Sequence, residues 1–323
     1  MPIISVIIPA YNAELTILET IASVQQQTLS DFELIVINDG STDKTLELLG
    51  TVQDPRLKIY SYSNGGLPVA RNRGIYNAIG DFISFLDADD LWTSDKLEKQ
   101  LAALQKHPEA GVAYSWTCNM AEKGDSFYPG QSVSFEGNVY AKLLVGGNFI
   151  SSGSNCLIRR LAIESVGEFD FALRSCEDWD FYLRLAARWP FIVVPKHQIL
   201  YRQSSGAMSS KIDVMEKYAL IVLERAFKAA PPELQSLKNQ SLSTLYQYLA
   251  GMYLARITKG DEVRQAGHKL QMSIRLYPQT LFTKTTQRYV LKWLMMQILS
   301  PKIAKYFTRP MGMVNAISDP RMQ

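Results

Sequence analysis

Through roughly its first ninety residues the chain alternates short apolar runs with amphipathic stretches. Ile3 to Ile8, Phe32 to Ile37, Leu57 to Ser61 and Phe82 to Leu86 are short and apolar, and read as buried strands. Pro9 is expected to end the first. Asn12 caps a predicted helix over about Glu14 to Gln27. The turn Asn38-Asp39-Gly40-Ser41-Thr42-Asp43 leads into a helix over about Asp43 to Leu49, and Asn64-Gly65-Gly66 precedes one over about Val69 to Ala78. Gly80 suits the end of that last helix. Strands and helices in strict alternation predict right-handed βαβ crossovers, and hence an α/β fold with a mainly parallel sheet covered by helices. In such sheets ligands bind at the carboxyl ends of the strands. The polar clusters Pro9 to Asn12, Asn38 to Asp43, Asn64 to Gly66 and Asp87 to Asp90 all fall there.

Beyond residue 112 the pattern loosens. Strands are predicted at Gly111 to Ser115, Ser154 to Ile158, Phe191 to Val194 and Gln198 to Tyr201, and a helix over Phe135 to Val145. Asp178 to Trp189 has clear helical periodicity and is stopped by Pro190. Ser204 to Ser210 is small and polar, a loop or linker. From Ile212 onward the periodicity is helical, broken at Pro231-Pro232 and Thr258-Lys259-Gly260-Asp261. Two regions are therefore expected, an α/β domain over 1–210 and a helical extension over 211–323.

Charge sharpens that division. Residues 1–210 carry a net −7 and residues 211–323 a net +10, although the whole chain is only +3. A basic region can face anionic lipid, nucleic acid or simply solvent. Cys118, Cys156 and Cys176 lack metal-type or redox-type spacing and fit reduced thiols of a cytoplasmic protein. The N-terminal stretch has no basic segment ahead of its short apolar core, so no signal peptide is expected. No apolar stretch approaches the roughly 20 residues needed to span a bilayer.

The candidate chemistry centres on Asp87-Ala88-Asp89-Asp90, three carboxylates in four positions directly after an apolar strand. Like charges so close need compensation from a cation, hydrogen-bond donors or water. A hard divalent cation bridging to phosphate oxygens would satisfy them. So would a solvated turn capping the next helix, and these residues alone do not separate the two.

In its first 210 residues the chain resembles a family 2 glycosyltransferase with the GT-A fold, an inverting enzyme. The residues that carry the resemblance are Val6-Ile7-Ile8-Pro9-Ala10-Tyr11-Asn12, Val36-Ile37-Asn38-Asp39-Gly40-Ser41-Thr42-Asp43, Ala70-Arg71-Asn72-Arg73-Gly74, Asp87-Ala88-Asp89-Asp90 and Glu177-Asp178-Trp179-Asp180. Each motif is weak by itself; their order and spacing make the match specific. The resemblance implies a nucleotide-sugar donor, UDP-linked, bound by Pro9, Tyr11, Asp39, Arg71 and Asp87. Asp39 recognises the uracil, Tyr11 stacks on it, Arg71 meets the base or the diphosphate, and Asp87 lies toward the ribose. Asp89 binds the Mg²⁺ or Mn²⁺ that bridges the two phosphates, which leaves Asp90 to cap the helix beginning near Ser94. Asp178 is the general base that deprotonates the acceptor hydroxyl, and Glu177 orients the acceptor, a glycan or a lipid-linked sugar. Ser151 to Asn155 resembles the loop near the donor sugar or acceptor. Many relatives carry Tyr-Arg-x-His near residue 201, whose histidine can ligate the metal. Here Ser204 stands in its place, and Arg202 remains available to a phosphate.

Other classes fit less well. A phosphatase of the haloacid dehalogenase type would want Thr or Val at Leu91 and its acidic motif on the first strand. A nucleotidyltransferase would need a Gly-rich basic loop where Pro9-Ala10-Tyr11-Asn12 stands. A scaffold that kept the fold without turnover would have little need of both Asp89 and Asp178. No nucleic-acid partner is expected. Lys284, Arg288 and Lys292, spaced four apart beside the apolar run Val290 to Leu299, suit peripheral contact with the inner face of an anionic membrane. A packed helix or a homodimer contact would use the same pattern.

Overall fold

The computed structural model describes residues 1–204, 211–256 and 260–298. The four apolar runs at the start of the chain form parallel strands β1 (Ile4–Ala10), β2 (Phe32–Asp39), β3 (Leu57–Tyr62) and β4 (Phe82–Phe85). Helices α1 (Ile17–Gln25), α2 (Thr45–Leu49) and α3 (Leu67–Asn77) connect them. Every residue of β1 and β2 is buried, as expected of a sheet covered on both faces. β1 lies between β2 and β4, with Ile4 opposite both Phe32 and Phe82.

Two punctuation residues act differently from expectation. Pro9 does not end β1, which runs on to Ala10, and it is buried within the strand. The Ile7 carbonyl accepts from Leu86 N–H on the β4 side. Strand alternation turns Pro9 to that same side, beyond the end of β4, where a missing N–H forfeits no ladder bond. Gly80 does not cap α3. A Cβ there would lie 2.7 Å from the backbone nitrogen of Ser5, so close passage of the chain against β1 is what requires glycine.

After β4 the sheet becomes mixed. The next elements are β5 (Leu91–Trp92), α4 (Lys96–Lys106), β6 (Val112–Ala121), β7 (Phe127–Pro129), α5 (Tyr140–Gly146) and β8 (Leu157–Arg159). They are followed by α6 (Arg160–Val166), α7 (Glu177–Ala186) and β9 (Phe191–Gln203). The strand order is β3-β2-β1-β4-β8-β6-β9-β5, with β7 on β6. β8 is antiparallel to both β4 and β6, and β9 returns parallel to β6. The two strands predicted over 191–201 are one strand with an irregularity. Val194 faces Ser115 and His197 faces Trp116, so Pro195 and Lys196 are squeezed out of the ladder. The helix predicted from Phe135 starts only at Tyr140. Gly137, at φ +71°, bridges Phe191, and the Tyr114 hydroxyl accepts from Phe135 N–H, which hold this stretch extended.

The described residues group into two compact units, 1–140 with 148–204, and 141–147 with 211–256 and 260–298. The boundary expected at residue 210, the loop residues Ser205 to Ser210 and the break at Thr258-Lys259 lie outside the described residues. The second unit contains α8 (Ile212–Ala229), α9 (Lys238–Arg256), α10 (Gly260–Leu276) and α11 (Lys284–Ile298). The predicted break at Pro231-Pro232 is present as the turn that follows α8. Gly251 and Gly267 let α11 sit close, because a Cβ at either would run into the Tyr289 or Trp293 ring. On α11, Lys284, Arg288, Leu291 and Leu294 are exposed, whereas Lys292 is half-buried and so leaves the expected basic row. Among the described residues, no helix is long and apolar enough to cross a membrane.

Candidate active site

The loop Asp87 to Asp90, between β4 and β5, is held by its own backbone. Thr16 and Thr20 hydroxyls donate to the Ala88 carbonyl, Thr20 also to that of Asp90, and Arg202 Nε to that of Asp89. The Asp87 N–H donates to Ser154 Oγ at 3.0 Å. With the main chain fixed this way, the carboxylates have set directions before any ligand arrives.

The three carboxylates have different surroundings. Asp90 is fully buried and does not cap a helix, contrary to expectation; α4 starts at Lys96, after Asp95. Its Oδ2 accepts from Ser154 Oγ at 2.6 Å and from Ser152 Oγ, and its Oδ1 from Arg202 N–H at 2.9 Å. Asp90 is thus a buried tie between this loop, residues 152–154 and the end of β9. Burial, then the charges of Asp89 and Asp87, push its pKa up. Asp89 remains partly exposed, and its carboxylate accepts from no other residue's side chain among those described. Burial and then the Asp87 charge raise its pKa to about 6.

Asp87 points the other way, to Arg71. This arginine, 1% exposed in α3, donates from Nη2 to Asp87 Oδ1 and from Nη1 to Glu177 Oε1, both at 2.8 Å. Burial opposes its charge, but Asp87, Glu177 and Asp178 outweigh that and raise its pKa further. A Cβ on Gly153 would run into Arg71 Nη2, so this glycine makes room for the guanidinium. The Asp87 loop and the start of α7, ninety residues apart in sequence, meet through one side chain.

α7 begins at Glu177, preceded by Cys176 in the left-handed conformation at φ 59°. The turn directs Glu177 inward, where burial raises its pKa to about 7 despite Arg71. Asp178 stays partly exposed. Its Oδ1 accepts from Trp179 N–H at 2.7 Å and its Oδ2 from Asn148 Nδ2 at 2.8 Å. Burial raises its pKa, with Arg71 and these two donors holding it back and Asp87 adding to the rise. A carboxylate in the first helical turn is also favoured by the helix dipole.

At the far end of the sheet, Asp39 is buried at the end of β2. It accepts from the N–H groups of Gly65 and Gly66 and from Arg73 Nη1 at 2.6 Å. Arg73 also stacks over the Tyr62 ring, 4.5 Å from its centre. Tyr11 is exposed beyond β1. The adjacent Asn12, at φ 49°, accepts from Thr42 N–H and donates its own N–H to Ser41 Oγ, joining two of the predicted loops. Pro9 is buried in β1 and is not part of the loop.

Several participants had no local signature. Asn148 is an ordinary residue in sequence and enters through its contact with Asp178, whereas Ser152, Ser154 and Arg73 lie in stretches that carried the resemblance but whose partners no local pattern gives. Arg202 was expected to be free for a phosphate, but its guanidinium is spent inside the protein. It donates to the Asp89 and Glu122 carbonyls and pairs with Glu19 at 2.7 Å. Ser204 directly follows β9.

Among the described residues no group of three or more His, Cys, Asp or Glu could hold a metal by itself. The donor set still suits a hard divalent cation bound together with a phosphate ligand. Asp89 offers a carboxylate without a competing side-chain donor, and a nearby cation would relieve the burial and repulsion that raise its pKa.

Residues 5–251 match the family described as "Glycosyltransferase like family 2". Over 107 residues the chain is 41% identical to the Escherichia coli UDP-Glc:alpha-D-GlcNAc-diphosphoundecaprenol beta-1,3-glucosyltransferase WfgD, covering 32% of this chain and 42% of that protein. The chain spans less than half the length of the first curated relatives it matches. Among solved structures, Staphylococcus aureus TarS 1-349 in complex with UDP-GlcNAc superposes with a TM-score of 0.61 at 20% identity, covering 95% of this chain and 90% of that one. The mannosyltransferase PcManGT from Pyrobaculum calidifontis, in complex with GDP-Man and Mn²⁺, gives 0.60 at 17% identity, covering 95% and 83%. These likenesses show the glycosyltransferase fold.

Proposed function

The chain belongs to glycosyltransferase family 2, and from that premise we propose that it transfers a sugar from a UDP-sugar to a hydroxyl of a glycan or lipid-linked acceptor. Transfer proceeds by one displacement with inversion at the anomeric carbon. The observation that carries this reading is the Arg71 bridge between Asp87 and Glu177, which ties the acidic loop after β4 to the start of α7.

Asp178 is the base. Its two hydrogen bonds orient the carboxylate, and the Arg71 cation close by favours its ionised form against the effect of burial. It takes the proton of the acceptor hydroxyl as that oxygen attacks the anomeric carbon, which requires hydrogen-bonding reach. Glu177 is spent on Arg71 and so acts on the acceptor only indirectly. At the other end, Asp39 reads the uracil, its carboxylate held in place by the Gly65 and Gly66 N–H groups and by Arg73. Tyr11 covers the base, and Asp87 faces the ribose. Asp89, backed by Asp87, would hold Mg²⁺ or Mn²⁺. When bound, the metal neutralises charge that builds on the departing UDP.

The relatives' names supply the donor and acceptor classes: WfgD is named for UDP-glucose and a diphosphoundecaprenol-linked sugar, and the TarS complex for UDP-GlcNAc. A lipid-linked acceptor accords with peripheral membrane contact through the exposed Lys284, Arg288, Leu291 and Leu294 of α11. A phosphatase nucleophile at Asp87 is disfavoured, because this carboxylate is bound to Arg71.

The test is UDP release from UDP-glucose and UDP-N-acetylglucosamine with Mn²⁺. Asp178→Asn should lower kcat by about 10²–10⁴-fold, the usual share of a general base, while UDP still raises the melting temperature. Wild-type turnover in that variant would overturn the assignment of the base.

A further inference from the structure

Among the described residues, one buried hydrogen-bond acceptor beside the base has no protein partner. Asn148 donates from Nδ2 to Asp178 Oδ2 at 2.8 Å, yet its Oδ1 is buried without a hydrogen bond. The amide cannot be turned over to cure this, because the carbonyl oxygen would then face the Asp178 carboxylate. A buried acceptor left unmade costs about 1–3 kcal/mol, so such a group calls for an explanation. Gln100 and Arg160 also have orphaned atoms, but neither touches a reacting group; Arg71 Nε is a third, in the site itself, though its guanidinium is already held by Asp87 and Glu177 and it is a donor rather than an acceptor.

The surroundings of Asn148 are rigid. The Tyr182 hydroxyl, on α7, donates to the Ser152 carbonyl at 3.0 Å, and Asn155 Nδ2 donates to the Ile150 carbonyl at 3.0 Å. Ser151 is held at φ 72°, where a residue other than glycine is strained, and its N–H donates to the Asn148 carbonyl. The loop is thus pinned to the helix that carries the base, and Asn148 has little freedom to seek another partner.

Nδ2 and Oδ1 share one carbon, so Oδ1 lies no more than roughly 5 Å from Asp178 Oδ2. Two acceptors that close match a pair of neighbouring hydroxyls, whose oxygens sit about 3 Å apart, a hydrogen-bond distance. We propose that Asn148 is an acceptor-binding residue: its carbonyl receives a hydrogen bond from the hydroxyl next to the one that Asp178 deprotonates. The acceptor is therefore a vicinal diol, as on a sugar ring, and a lone alcohol is a poor substitute. The same amide fixes the base through Nδ2, so one side chain sets both the direction of the base and the choice of nucleophile. This inference rests on Asp178 being the base.

The experiment offers two small nucleophiles at equal concentration, glycerol as the diol and 1-propanol as the lone alcohol, with UDP-glucose or UDP-N-acetylglucosamine and Mn²⁺. Glycosylated products are counted by mass spectrometry. Wild type should favour glycerol by about tenfold, the worth of one good hydrogen bond. Asn148→Ala and the similar-sized Asn148→Leu should bring that ratio close to one and raise KM for glycerol, with KM for the UDP-sugar unchanged. The ratio is internal to each sample and does not depend on how much variant folds. An unchanged ratio in both variants, or UDP release by wild type without any glycerol product, overturns the proposal. Asp178→Asn runs alongside: if it releases UDP as fast as wild type, the base assignment fails whatever Asn148 does.

Discussion

Arg71 Nη2 lies 2.8 Å from Asp87 Oδ1 with the guanidinium 1% exposed, and the opposite nitrogen holds Glu177. A cation this deeply buried persists because it is paired on both sides; removal of one partner of such a pair costs about 3–5 kcal/mol. Arg71→Met should therefore destabilise the protein by about that amount in urea unfolding and abolish turnover. A second change, Glu177→Gln, should recover part of the stability without the activity. A loss under about 1 kcal/mol for Arg71→Met would mean that the pair is not formed in solution.

Glu177 also dictates a pH dependence. Burial raises its pKa from 4.5 to about 7 in the folded protein, so between those values the native state binds more protons than the unfolded chain. Stability then falls as pH rises through that window and is highest near its acidic end. Asp54, held at about 2 by Arg56, acts in the opposite sense, but its contribution is lost only below about pH 4. Chemical denaturation of the ligand-free protein should give greater stability at pH 5.5 than at pH 7.5. Asp89, raised to about 6 by burial and the Asp87 charge, adds in the same sense, so Glu177→Gln should reduce that slope without removing it, and an unchanged slope would mean that Glu177 does not contribute.

Asp89 is assigned to the metal on its surroundings. Asp89→Asn should remove the Mn²⁺-dependent part of the melting shift produced by UDP, and leave the shift produced by UDP alone. A chelator added to wild type should have the same effect. If Mn²⁺ still tightens UDP binding in the variant, the cation sits elsewhere.

The exposed side of α11 predicts binding to lipid. Sedimentation with vesicles containing anionic phospholipid should capture wild type at low salt and release it as salt rises, since exposed charges are screened. Lys284→Glu with Arg288→Glu should abolish capture. Equal binding to neutral vesicles would argue for the apolar residues Leu291 and Leu294 acting alone.

Much of the fold was legible because its causes are local. Four apolar runs, each closed by turn chemistry, commit the chain to strands and crossovers, and topology puts their polar ends on one edge of the sheet. Asp39, Asp87, Asp89 and Asp178 could be singled out because each follows or opens a recognisable element. Local reasoning failed where a residue's surroundings come from far away. Asp90 looks like a helix cap from its neighbours, but Ser152, Ser154 and Arg202 turn it into a buried tie. Arg202 looks free until Glu19, Glu122 and Asp89 consume it. Pro9 and Gly80 look like stops and caps, and are instead explained by what passes beside them.

By itself, then, the sequence determined the order of elements, the class of sheet and the identity of the charged groups, since backbone preference and apolar patterning act over a few residues. Only the tertiary structure decided which charges are neutralised, which are spent and which remain for a ligand. Hydrogen bonds and desolvation depend on distances between segments more than a hundred residues apart, as between Arg71 and Glu177, and no local pattern in the chain encodes such a distance.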